Sequence, residues 1–193
     1  MSGRGRPDLV TPLDLALPAP HFTARYSRWI SATPDRVWAA LQGLTLGQLP
    51  ITRLLVAVRH LGLDHGTRSR NLFTDGPVRM LEVTEPWYAV GGSISRPWQL
   101  HPEHRPVPSL AEFAAFAEPG WIKYLTDFRV QPRRDGVQLT TVTSGCGTDS
   151  SARTRFGPYW GLIRPASGLI RGEMLAAVAR AASAAPAAPP ARP

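Results

Sequence analysis

The chain has 193 residues and a formal charge of +8, with hydrophobic residues at 43% and charged residues at 19%. That balance fits one globular domain of ordinary size and excludes a coiled coil, a collagen and a wholly disordered chain. One cysteine, Cys146, leaves no partner for an internal disulfide and argues against a cysteine-based zinc site.

No apolar run reaches the ~18 residues of a membrane span. The first twenty residues lack the apolar core of a signal peptide. The expectation is therefore a cytoplasmic protein without stable membrane insertion. Of the 22 cationic residues only Lys123 is a lysine, and the arginines are scattered from Arg4 to Arg192. No RNP, zinc-finger or helix-turn-helix signature accompanies them. A solvated basic surface is expected, with no nucleic-acid partner.

In chain order, residues 1–20 read as a disordered tail, broken by Pro7, Pro12, Pro18 and Pro20. Residues 183–193 read as a second, Pro/Ala-rich tail. The folded body spans 21–182. Phe22 to Ser31 alternates like a strand. Thr33-Pro34 then starts a helix whose apolar side is Val37, Trp38, Leu41 and Leu44. A second helix, about Gln48 to Leu61, carries Ile51, Leu54, Leu55, Val58 and Leu61 at helical spacing. Thr67 to Thr74 is read as a strand, closed by Asp75-Gly76-Pro77.

Val78 to Glu85 and Tyr88 to Arg96 read as the next pair of strands. With Glu85 opposite Tyr88, Leu81, Val83, Val90 and Ile94 share one buried face. Arg79 and Glu85 lie inward at opposite ends of the same strand. Gly91-Gly92 permits a bulge or bend. A short helix fits Ser109 to Ala117, with Ser109 capping. Trp121 to Val130 and Val137 to Cys146 form a hairpin across Asp135-Gly136. Its loop puts Ile122, Tyr124, Thr126, Phe128 and Val130 with Val137, Leu139, Thr141 and Thr143. Lys123, Asp127 and Arg129 fall on the other face, expected to be wet. A helical pattern closes the chain from about Ser151 to Ala182, striped by Phe156, Trp160, Ile163, Ser167, Ile170, Met174 and Val178. Pro158 and Pro165 are expected to kink or split it.

The fold class is thus α+β: a curved antiparallel sheet of about six or seven strands gripping a long C-terminal helix, with two short helices after the first strand. That order resembles the START-like, helix-grip superfamily (SRPBCC), which includes polyketide cyclases and lipid-transfer domains. The opening RWISATPDRVWAAL resembles its first strand and helix. The closing stretch resembles a group of uncharacterised actinobacterial members at Thr148-Asp149, Ala152-Arg153, Phe156, Tyr159-Trp160, Ile163, Pro165 and Ser167 through Arg171. It departs from them at Ser144-Gly145-Cys146-Gly147, where their pattern carries charge. The resemblance implies an apolar cavity for a small lipophilic molecule. It implies no reaction.

The expected ligand-binding residues are Arg79, Val90, Ile94, Tyr124, Phe128, Thr141, Thr143, Trp160 and Ile163, facing one another across the sheet–helix gap. The competing reading is a filled core. Arg79 is the candidate anchor for a carboxylate or phenolate. His101, Glu103 and His104 sit in a proline-rich loop with no helix to align them, and HExxH is absent, so no metal is expected. GCGTDS, residues 145–150, nearly spells a dinucleotide fingerprint but lacks a βαβ unit; helix capping by Asp149 or Ser150 fits better. No catalytic residue and no cofactor are assigned. Two functions remain: a carrier or sensor of a lipophilic metabolite, and a cyclase- or aromatase-like enzyme using Tyr124, Thr126, Thr141, Thr143 and Arg79. A protein with an incidental cavity is the third. The absence of an inward histidine or paired carboxylates favours binding over catalysis.

Overall fold

A computed structural model describes residues 10–59, 68–76, 78–99 and 101–184. The elements are α1 (Pro12–Ala16), β1 (Phe22–Ile30), α2 (Pro34–Gln42), α3 (Pro50–Arg59), β2 (Arg79–Thr84), β3 (Tyr88–Arg96), β4 (Glu103–Arg105), α4 (Leu110–Ala115), β5 (Ile122–Arg133), β6 (Gly136–Gly147) and α5 (Ser150–Ser183). One curved antiparallel sheet has the order β1-β6-β5-β3-β2, with β4 paired to β3. The α+β class, the six strands and the long C-terminal helix agree with the sequence.

The β5–β6 hairpin keeps the expected register. Thr126 faces Thr143, Phe128 faces Thr141 and Val130 faces Leu139. Asp149 caps α5 by accepting from Ala152 N at 2.6 Å. Pro158 and Pro165 do not split this helix; it runs unbroken through both. At 1.5 Å per residue it reaches about 50 Å.

Other expectations are corrected. Residues 68–74, read with Thr67 as a strand, form turns with a single bridge from Asn71 to Thr45, and Thr67 lies outside the described residues. Leu54 and Ile51 of α3 are exposed, and the buried residue of that turn is Thr52. The side chain of Val58 and all of Leu61 lie outside the described residues. In the β2–β3 pair, Thr84, not Glu85, meets Tyr88. The turn takes three residues, closed by Trp87 N donating to Thr84 O at 2.8 Å. A bulge at Leu81 then restores the outer pairing of Arg79 with Gly92.

That single-residue difference changes which β2 residues stand opposite β3, placing Glu82 rather than Val83 across from Val90. On β3, Val90 and Ile94 stand opposite Asp127 and Lys123 of β5 and, with Leu81, point away from α5. They pack with Leu13, Leu17, Val107, Phe113, Trp121 and Leu125 in a second core behind the sheet. The lids on that core are α1 and α4. The expected N-terminal tail is thus structured from Thr11 onward, with a capping box between Thr11 and Asp14 and Leu13 only 2% exposed. Residues 1–9 and 185–193 lie outside the described residues.

The same lids overturn the expectation of a wet outer face. Lys123, Asp127 and Arg129 are all buried there. Lys123 Nζ donates to Ala114 O at 2.9 Å and Phe116 O at 2.8 Å, closing the end of α4. Asp127 accepts from Arg129 Nε at 2.7 Å and Val142 N at 3.0 Å. Arg129 Nη2 in turn donates to Thr11 Oγ1 at 3.2 Å.

Candidate functional site

The inner face of the sheet is best described in rungs, because paired residues in an antiparallel sheet share a face. One rung is Phe22, Gly145, Tyr124 and Ser93. The next is Ala24, Thr143, Thr126 and Gly91. The third is Tyr26, Thr141, Phe128 and Ala89. The centre of this face is therefore small and hydroxyl-bearing, with aromatic rings on both sides of it. Successive rungs on one face are about 7 Å apart.

Glycine shapes the first rung. A Cβ on Gly145 would lie 2.1 Å from Cζ of Phe22 and 2.8 Å from the Lys123 carbonyl oxygen. Only a bare Cα lets that ring lie flat on the strand. Phe22 then packs at a tilt against Trp160, with ring centroids 4.7 Å apart, and Phe156, 4.9 Å apart.

Helix α5 crosses these rungs obliquely. Trp160 covers Phe22, and Gly168 passes the Tyr26 hydroxyl, 2.9 Å from where a Cβ would stand. One turn later Arg171 reaches the central rung. Its Nη2 donates to Thr126 Oγ1 at 3.1 Å and Thr143 Oγ1 at 3.2 Å. Those two hydroxyls share a hydrogen bond of 2.9 Å. Burial lowers the Arg171 pKa, while the nearby Tyr124, Tyr26 and Asp127 pull it back up. A guanidinium stays protonated under such conditions. No carboxylate among the described residues lies within ion-pair distance of it.

Thr141 adds a second feature. It is 2% exposed, and its Oγ1 has no hydrogen-bond partner. A buried hydroxyl without a partner costs about 1–3 kcal/mol. Between Phe128 and Met174 the interior is nearly filled; the void there, bordered by Leu41, Leu44, Leu72 and Phe73, is about 10 Å³. That is room for about one water.

Of the residues expected from sequence, Tyr124, Phe128, Thr141 and Thr143 share the inner face. Trp160 joins them through Phe22, and Ile163 is half-buried on α5. Val90 and Ile94 belong to the outer core. Arg79 is exposed, pairs with Gly92 and borders a surface recess of about 270 Å³ with His104, Arg105 and Val107. It anchors nothing in the interior. The arginine that does reach the interior, Arg171, was not expected there. Its sequence signal is the spacing of Ser167, Arg171, Met174 and Val178, four, three and four residues apart on one helical stripe. The neighbouring Ile170 takes that place if only apolar residues are counted.

No helix among the described residues is long and apolar enough to cross a membrane. No family model and no curated protein matches the chain. Several solved structures do. A protein from Chromobacterium violaceum is 14% identical, with a TM-score of 0.40, spanning 84% of this chain and 99% of that one. A conserved protein from Geobacillus kaustophilus is 13% identical, with a TM-score of 0.42, spanning 82% and 93%. Norcoclaurine synthase from Thalictrum flavum is 10% identical, with a TM-score of 0.32, spanning 93% and 94%. These are distant likenesses in the course of the chain.

Proposed function

We propose that the protein binds a small, largely apolar molecule between the inner face of the sheet and α5, as a carrier or sensor. The observation that supports this reading is the unpartnered Thr141 hydroxyl on an aromatic-flanked face. A core selected only for packing puts an apolar residue there. A ligand site instead combines apolar walls with a few polar groups awaiting a partner.

The cover over that face supports the same reading. From Gly157 to Met174 no residue of α5 is buried, whereas Phe156 before and Leu175 after it are. A ligand of ordinary size needs ~300 Å³ or more, so this middle section must lift or bend to admit one. The enzyme reading loses the arginine it named, since Arg79 faces away; its hydroxyls, Tyr124, Thr126, Thr141 and Thr143, remain inward.

Native mass spectrometry of the purified protein, followed by organic extraction, tests the proposal. The expected result is a stoichiometric apolar compound, retained at about tenfold lower occupancy by Thr141→Trp, whose indole fills the space. A folded Thr141→Trp protein carrying the compound undiminished places the binding elsewhere and overturns the reading.

A further inference from the structure

Resting on the reading of a ligand site under α5, we infer that Arg171 selects ligands bearing a carboxylate, making the protein a receptor for apolar organic acids. The geometry carries this. Arginine has five N–H donors. The two threonine hydroxyls engage Nη2 alone. Among the described residues nothing accepts from Nε or Nη1. The guanidinium is thus fixed in direction by Thr126 and Thr143 while donors remain on its other edge.

The nearest acid in sequence, Glu173, is committed elsewhere. Its carboxylate accepts from Ile51 N and Thr52 N, each at 2.8 Å, and from Thr52 Oγ1 at 2.7 Å. The acid beneath the sheet, Asp127, belongs to the outer face and is held by Arg129 and Val142. Arg171 is thus a half-buried cation with no anion paired to it among the described residues. A half-buried charge in that position gains more from an arriving anion than a fully exposed one does, because less water screens the pair. The Thr141 hydroxyl is one rung along the same face from Thr143, about 7 Å away. A carboxylate seated between them accepts from the guanidinium with one oxygen and from Thr141 Oγ1 with the other. Both unmet donors are then satisfied by one group, and the flanking Tyr26, Tyr124 and Phe128 contact the apolar remainder.

The test compares acids with uncharged analogues of the same shape. The probes are 2-naphthoate against 2-naphthamide, and dodecanoate against dodecan-1-ol, titrated by calorimetry into the full chain at pH 7.5. The wild type is expected to bind at least one acid about tenfold or more tightly than its neutral partner, the gain of a charge-assisted hydrogen bond. Arg171→Gln keeps an amide donor for the two threonines and removes the charge. It is expected to reduce the acid preference to under about threefold and leave the neutral probe nearly unchanged. Arg171→Lys is expected to keep a preference for the acid.

Equal binding of acid and neutral partner by the wild type overturns the anchor and leaves the apolar site standing. An undiminished acid preference in folded Arg171→Gln also overturns it. Binding of no probe by the wild type overturns the site itself. If Arg171→Gln does not fold, the wild-type ratio of acid to neutral affinity still decides.

Discussion

Tyr88 shows how one hydroxyl ties the N-terminal segment to the sheet. Its Oη accepts from Leu13 N at 3.2 Å. Burial, and next the negative charge of Asp127, push its pKa well above the usual phenol value. In the unfolded chain the phenol loses its proton near pH 10. The folded chain keeps it to higher pH, so there the folded state binds more protons. Stability from this difference is complete below pH 10 and is lost as pH rises beyond it. Tyr88→Phe removes the hydrogen bond and the titration together. It is expected to cost about 1 kcal/mol at pH 8. By pH 11 the gap between wild type and variant should narrow, since only the wild type carries this alkaline loss. Urea midpoints at the two values measure it; an equal gap at both shows that the fold does not hold the phenol proton. At this scale the sequence was partly legible. The inward threonines and Tyr124 follow from strand alternation alone. Arg171 does not, because its role depends on which face of α5 meets the sheet, and that is set by neighbours far along the chain.

Glu173 makes the same point for elements. Its carboxylate bridges two backbone N–H groups and the Thr52 hydroxyl at the start of α3. The first N–H groups of a helix lack intrahelical acceptors, and an anion there also meets the positive end of the helix dipole. This is a cap supplied from another helix, across 121 positions. Glu173→Ala is expected to lower stability by about 1–2 kcal/mol, read as a fall in urea midpoint with an unchanged slope. A loss below ~0.3 kcal/mol, well under the usual cost of a lost cap, shows that water replaces the carboxylate. The Thr52 hydroxyl and the cap explain why α3 turns a threonine inward and leaves Leu54 outward. Hydrophobic spacing located that helix correctly and could not orient it. The β2–β3 pair failed for a related reason. Alternation fixes which residues share a face within a strand, but the pairing between strands depends on the turn. The three-residue turn resets only β2 against β3; Val90 and Ile94 fall in the outer core because β3 meets β5 with Val90 opposite Asp127 and Ile94 opposite Lys123, a long-range pairing that no short turn sets.

Across the whole molecule the sheet is covered on both sides, and the two covers differ in kind. The outer cover is two short helices, each pinned by one buried side chain, Leu13 or Phe113, and cross-linked by Arg129, Tyr88 and Lys123. The inner cover is one long helix whose buried side chains lie near its two ends, with Trp160 and Arg171 as half-buried contacts between them. Ala152 and Phe156 hold one end; Leu175, Ala177, Val178 and Ala182 hold the other. Between them Leu162 is 80% exposed and Leu169 56%. Pro158 and Pro165 also remove backbone donors from this stretch. Local opening is cheapest where few buried contacts must be broken. Amide hydrogen exchange should therefore be faster in 159–172 than in 175–183, by about tenfold or more, the factor given by ~1.4 kcal/mol of local stability. An apolar acid that binds beneath α5 should slow exchange in 159–172 selectively, because the lifted state and the closed, liganded state then compete. Uniform protection along α5 in the free protein would count against a hinged cover. Protection by ligand confined to the outer lids, α1 and α4, would place the binding site on the other side of the sheet.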